Sequence, residues 1–178
     1  MTKKTSEAPV IFVAGILERM EGSVRKILLQ TRWKQKTSPR YSGLLEIPGG
    51  HVNDHENIFE ALQREVKEEC GLNIKTCRNG FRGELFKINQ FEQSMVFQSF
   101  VSQQVLSKNN GLWFGFVFLC EVEGELKTQE GETKDHRWVS IKKLEKLLEE
   151  QPEKFFPYQY PIKPPYQKLL KDEILRAK

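Results

Sequence analysis

The 178-residue chain has only three cysteines, Cys70, Cys77 and Cys120, and none falls in a CxxC or zinc-type spacing. That excludes a disulfide scaffold and a zinc ribbon, and leaves reduced core thiols in a cytoplasmic protein as the expectation. Histidine is as scarce: His51, His55 and His136 are scattered, as ordinary surface histidines are, rather than clustered for a metal. No apolar run approaches the ~20 residues that span a bilayer. The N-terminal MTKKTSEAP is polar with no apolar signal segment behind it, so no membrane association is expected. A strong charge surplus is missing too: the formal net charge is +4. This helps attract small anions but is too modest to argue for nucleic-acid binding. There is no internal repeat and no low-complexity tract. Hydrophobic residues make up 38% and charged residues 29%, which fits one globular domain with a single core.

What the chain does have is a stretch rich in carboxylates, residues 50–72, GHVNDHENIFEALQREVKEECGL. Asn57 followed by Glu60 reads as a capping box, so a helix is expected to begin at Ile58. Gly71 reads as the residue that ends it. At about 100° per residue, Ile58, Phe59, Leu62, Val66 and Cys70 share one side and face a core. Glu65 and Glu69 lie on the edge of that side, Glu69 near its centre, and Glu68 is their neighbour. These carboxylates repel one another at i, i+3 and i+4 spacing. Glu68 and Glu69 also sit in the last turn, where the helix dipole favours cations. Arg64 can pair with Glu68, yet one arginine does not neutralise three carboxylates. Local rules broken twice point to a functional site, and a hard divalent cation with oxygen ligands would resolve the conflict.

The spacing of Gly50, Glu56, Arg64, Glu65, Glu68, Glu69 and Gly71 resembles the Nudix hydrolase signature at every fixed position. Seven such positions at roughly 7% usage each match by chance about once in 10⁸ placements. The resemblance implies an α/β Nudix fold, a mixed β-sheet sandwiched between α-helices, with residues 50–72 as loop-helix-loop. It implies that Glu65, Glu68 and Glu69 bind Mg²⁺ or Mn²⁺, with Glu56 and the carbonyl of Gly49 completing the metal set. It implies that Arg64 orients a glutamate. Family members also recruit a carboxylate from a downstream loop, and within residues 130–135 Glu132 is the choice for a ligand or general base.

The rest of the chain supplies a scaffold. Val10–Leu17 and Val24–Thr31 read as strands around a turn at Glu21-Gly22-Ser23. The loop from Arg32 to Tyr41 interleaves cations with aromatics. Arg32, Trp33, Arg40 and Tyr41 could hold a phosphate and stack on a base, or the loop is a solvated turn. Leu44–Pro48 reads as a short strand, and Gly49-Gly50 lets the backbone pass close to a metal or phosphate. Strands are expected over residues 74–85, as a hairpin broken at Gly80 and Gly83, over 95–105 and over 112–122. A turn at Asn109-Asn110-Gly111 separates the last two. Arg137–Ser140 is a strand with Trp138 as core anchor, and Ile141–Glu150 an amphipathic helix. These elements make residues 1–150 the Nudix domain. Residues 151–178 form an extension in which five prolines alternate with aromatics. It packs on the same domain or on the partner of a homodimer, and a helix from about Tyr166 closes it.

The implied activity is metal-dependent hydrolysis of the pyrophosphate linkage in a nucleoside diphosphate joined to another group. A nucleotide sugar, an ADP-ribose-like compound or a nucleoside triphosphate would all qualify. A Nudix-fold module that binds a nucleotide without cleaving it is the alternative, and a partner-binding domain using the proline-aromatic tail is a third. Subgroup markers do not choose a substrate: Ile88 stands where the ADP-ribose type carries proline, and no nearby tyrosine marks the diadenosine type.

Overall fold

The computed structural model describes residues 8–78, 84–107, 111–127 and 132–176. Ten strands and three α-helices follow in chain order: β1 Val10–Glu21, β2 Val24–Arg32, β3 Leu45–Glu46, β4 Gly49–His51, α1 Ile58–Cys70, β5 Asn73–Arg78, β6 Glu84–Lys87, β7 Gln93–Val96, β8 Val101–Ser107, β9 Gly111–Glu123, β10 Thr133–Ser140, α2 Ile141–Glu150 and α3 Lys163–Arg176. Two long strands form the spine. β1 and β9 run parallel from Val10 opposite Trp113 to Glu18 opposite Glu121. Each is long enough to hold different partners along its length. β4 pairs with the first half of β1 and β2 with its end. β8 pairs with the first half of β9 and β5 with its end. The result is a mixed sheet with β10-β2-β1-β9-β5 as its path.

Strand alternation divides the sheet into two faces. Val13, Leu17, Leu28, Phe118 and Cys120 pack against Leu62 and Val66 of α1. Ala14, Ile16, Leu29, Val117 and Leu119 face Leu144 and Leu148 of α2 and the C-terminal segment. Leu62 and Val66 are fully buried, each contributing roughly 1.5–3 kcal/mol of hydrophobic stabilisation. The sheet is therefore sandwiched between helices, as the resemblance implies.

Several expectations need correction. Leu44–Pro48 shrinks to the two residues of β3, and the Gly49-Gly50 pair belongs to a strand of its own, β4, because Gly49–His51 pairs with Phe12–Ala14. The expected hairpin over residues 74–85 is not formed among the described residues: β5 pairs with β9, and β6 pairs with β7. Gly80 and Gly83 lie outside the described residues, as do Asn109 and Asn110. The expected strand 95–105 splits because its ends bond to different partners, β6 and β9. Proline does not bar helix from the tail. Pro164 and Pro165 sit in the first turn of α3, where amides have no intrahelical acceptor, and the helix starts at Lys163.

The described tail packs on its own domain. Phe155, Ile162, Tyr166 and Leu170 join the α2-side core. The Tyr166 hydroxyl donates to Glu18 at 2.7 Å, and Arg78 donates to the other Glu18 oxygen at 2.6 and 3.0 Å. Among the described residues no helix is long and apolar enough to cross a membrane.

Candidate functional site

Helix α1 has the capping box and ending that the sequence predicts. The Asn57 side chain accepts from the Phe59 and Glu60 amides, the Glu60 carboxylate accepts from the Asn57 amide, and Gly71 is left-handed. Starting the helix there directs Glu69 at the sheet and Glu65 at the glycine pair.

Glu69 is 7% exposed. Its Oε2 accepts from the Gly49 amide at 2.9 Å and from Gln30 Nε2 at 2.8 Å. Burial raises its pKa from an ordinary 4.5 to about 8, with the charges of Glu46 and Glu65 adding to the rise. Glu46 is itself buried and shifted upward by desolvation, against the opposing pull of Arg32, whose Nη1 is 3.2 Å away. Gln30, fully buried, lies between the two carboxylates, 3.4 Å from Glu46.

The glycine pair is needed for this geometry. A Cβ on Gly49 would lie 2.2 Å from the Val13 carbonyl oxygen, and one on Gly50 would lie 2.3 Å from a Glu65 carboxylate oxygen. Glycine at 49 lets β4 run against the β1 backbone, and glycine at 50 leaves room for the Glu65 carboxylate.

Arg64 clamps the exposed side. It binds Glu56 through two nitrogens at 2.7 and 2.9 Å, Glu65 at 2.7 Å, Glu68 at 3.1 Å and the His51 carbonyl at 2.9 Å. The expected pairing with Glu68 is present, but the bidentate partner is Glu56. Glu65 is raised chiefly by burial, which Arg64 opposes. Among the described residues no three His, Cys, Asp or Glu side chains already converge as a ligand cage. The donor chemistry nonetheless suits a hard cation: the cluster offers carboxylate and carbonyl oxygens, with Glu69 held next to two further carboxylates.

The remaining predicted residues lie around the rim. Glu132 is 65% exposed and pairs with Lys34, while its carbonyl accepts from the Trp33 amide at 2.6 Å. Glu130 and Gly131 of the same loop lie outside the described residues. Arg32 faces Glu46 and stands over the Phe156 ring at 4.8 Å. Lys134 covers Trp33 at 3.0 Å. Exposed Arg40 lies against Tyr41 at 5.5 Å, and Tyr41 meets Phe156 at 5.5 Å and Tyr158 at 5.9 Å. Lys34 and Arg32 act with burial to lower the His51 pKa, with burial the largest cause. Sequence reasoning missed Gln30 and the role of Glu46. Their signal was a single amide in the apolar run ILLQT and a lone acid before the glycine pair.

This is an α/β sandwich in which one acid-bearing helix is locked to the glycine-bearing strand β4. The chain belongs to the NUDIX domain family, whose pattern matches residues 9–159. An ADP-ribose pyrophosphatase of Methanocaldococcus jannaschii is 42% identical over 64 residues, 36% of this chain and 33% of that protein. An 8-oxo-dGTP diphosphatase of Buchnera aphidicola subsp. Acyrthosiphon pisum is 43% identical over 53 residues, 30% of this chain and 39% of that protein. The chain thus spans between a third and two fifths of the length of these curated relatives. The crystal structure of a MutT protein from Methanosarcina mazei Go1 has a TM-score of 0.63 at 21% identity, covering 95% of this chain and 99% of that one, a likeness of fold.

Proposed function

We propose that the protein is a Mg²⁺- or Mn²⁺-dependent hydrolase cleaving the pyrophosphate linkage of a nucleoside diphosphate joined to another group. The observation that carries this reading is the buried Glu69 carboxylate, held by the Gly49 amide and Gln30 beside Glu46 and Glu65. So much negative charge in one place calls for a bound cation. Glu65, Glu68, Glu69 and the Gly49 carbonyl would hold it. When bound, such a cation neutralises diphosphate oxygens and acidifies water. Arg64 keeps Glu65 and Glu68 in position and ties Glu56 to the same network, a positioning role. Lys34, Arg32 and Arg40 draw the substrate phosphates to the rim by charge. Glu132 is the proposed proton acceptor: it pairs at the rim with Lys34, whose charge also acts on Glu65.

The specific observation favouring a non-catalytic, nucleotide-binding module is that Arg64 already occupies Glu65 and Glu68. One assay separates the two readings. Phosphate or nucleotide release is measured with Mg²⁺, with Mn²⁺ and with EDTA. The named relatives put ADP-ribose and 8-oxo-dGTP first in the panel, followed by nucleotide sugars, NADH, dinucleoside polyphosphates, coenzyme A and ordinary triphosphates. Turnover of one compound, abolished by EDTA, is expected. Silence across the panel with cation bound would support the binding module.

A further inference from the structure

The C-terminal segment does more than close the core. Phe155 points into it, whereas Phe156 and Tyr158 belong to neither hydrophobic core and are half-buried at the surface. They meet rings from two distant parts of the chain. Tyr158 is 5.2 Å from Phe156, 5.9 Å from Tyr41 and 6.4 Å from Trp113 of β9. Trp113 in turn is 5.4 Å from His51, the residue after Gly50.

The turn bearing these rings is pinned by hydrogen bonds that each use a main-chain group. Gln159 both accepts from the Ile47 amide at 2.7 Å and donates to the Ile47 carbonyl at 3.1 Å. The Phe156 amide donates to the Leu45 carbonyl at 2.8 Å, and Gln103 donates to the Tyr158 carbonyl at 2.7 Å. The tail is thus fastened to the β3–β4 link that leads into Gly49. Contacts lead from its rings through Trp113 to His51, the neighbour in sequence of Gly50, which the Glu65 carboxylate approaches. Arg32 over Phe156 and Arg40 against Tyr41 put cations at the same rings.

We propose that Tyr41, Trp113, Phe156 and Tyr158 form the subsite that holds the aromatic base of a nucleotide, with Tyr158 of the C-terminal segment a specificity-determining residue. The inference rests on the proposed function in placing the phosphates at the glutamates and the Arg32–Arg40 rim. The four rings are half-buried and packed at an angle to one another, so part of their surface stays open to a base while Arg32 and Arg40 beside them offer charge to its phosphate. The mere alternative, rings that only fasten the tail, predicts no preference for a base.

The test is binding of monophosphates in Mg²⁺, where turnover plays no part because they hold no pyrophosphate linkage. Calorimetry on the full chain compares AMP, GMP, CMP and UMP with ribose 5-phosphate, which has the sugar and phosphate but no base. At least one nucleotide should bind on the order of tenfold tighter than ribose 5-phosphate, the scale of one stacked base. Tyr158→Leu should bring that ratio toward one, and Tyr158→Phe should keep it. If Tyr158→Leu does not fold, Tyr41→Leu is measured in its place with the same expected fall. Equal affinity of all five compounds for the wild-type protein would overturn the subsite. So would a leucine variant that weakens every compound in the same proportion. A base preference without any turnover across the panel would instead count against the hydrolase reading and leave the subsite standing.

Discussion

The amide of Gly49 donates to the carboxylate of Glu69 at 2.9 Å, joining strand β4 to the last turn of α1 across the face of the sheet. Gln30 completes the joint from β2 at 2.8 Å. Three parts of the chain meet at one buried oxygen, and the carboxylate there is acceptor-only while charged. The fold therefore fixes where this carboxyl group sits, independently of any ligand.

The two glycines of β4 should respond differently to alanine. At Gly49 the added Cβ meets backbone, the Val13 carbonyl at 2.2 Å and Ala14 Cα at 2.6 Å. Backbone inside a sheet does not yield cheaply, so Gly49→Ala should destabilise by about 3 kcal/mol or more. At Gly50 the Cβ meets only the end of the Glu65 side chain, at 2.3–2.5 Å, which can swing aside. Gly50→Ala should fold with a nearly unchanged thermal midpoint but lose on the order of 10²-fold in kcat through a displaced carboxylate. Thermal melts and kinetics on both variants check this; equal destabilisation of the two would sink it.

Glu69→Gln keeps the shape and removes the charge. The amide oxygen can still accept from Gly49 and Gln30, and the repulsion from Glu46 and Glu65 disappears. The variant should be as stable as the parent or more so in EDTA, bind Mg²⁺ more weakly by calorimetry, and lose turnover by roughly 10³-fold. A variant that unfolds, alongside a wild-type protein that binds no Mg²⁺, would return Glu69 to a purely structural residue.

Much of this site was legible because its signals are local. Asn57, Glu60 and Gly71 set the helix ends through caps that depend on three or four neighbouring residues, and the structure has the same ends. The box spacing then fixes which side chains share a face. Gln30 and Glu46 were not legible as partners of Glu69, because their meeting depends on β2 and β3 pairing below α1. The same holds for Tyr158 and Trp113, 45 positions apart in sequence and joined only through the folding back of the tail. The split of residues 95–105 and the pairing of β6 with β7 were hidden for a further reason. Alternating residues show that a segment is a strand but not which partner it takes.

The pH dependence of stability without divalent cations follows from Glu69. Its folded pKa, about 8, lies above its ordinary 4.5. The native state thus holds a proton there that the unfolded state releases, so stability is present at low pH and lost as pH rises through 8. His51 and His136 are lowered by burial and act oppositely, costing stability as pH falls below about 6.5. In EDTA the thermal midpoint should peak near pH 6 and decline toward pH 8–9, as stability falls by an amount on the order of a few kcal/mol. Saturating Mg²⁺ should flatten the alkaline side, since a bound cation favours the ionised carboxylate. A midpoint that rises steadily from pH 6 to 9 in EDTA would show that Glu69 is ionised in the native protein throughout.

The tail is tied to the sheet by a buried phenol, which offers a milder probe than truncation. Cutting after Glu150 would strip Phe155, Ile162, Tyr166 and Leu170 from the core, so lost function would report only lost folding. Tyr166 is 5% exposed and donates to Glu18 at 2.7 Å. Tyr166→Phe removes one atom and leaves that Glu18 oxygen without its donor, a cost of about 1–3 kcal/mol. Arg78 still compensates the charge from the other side at 2.6 Å, so the fold should survive. For a chain of this size the midpoint should drop by roughly 2–10 °C, with turnover retained at temperatures well below it. An unchanged midpoint would mean that Arg78 and water satisfy Glu18 without the tail, and that α3 is held by apolar contacts alone.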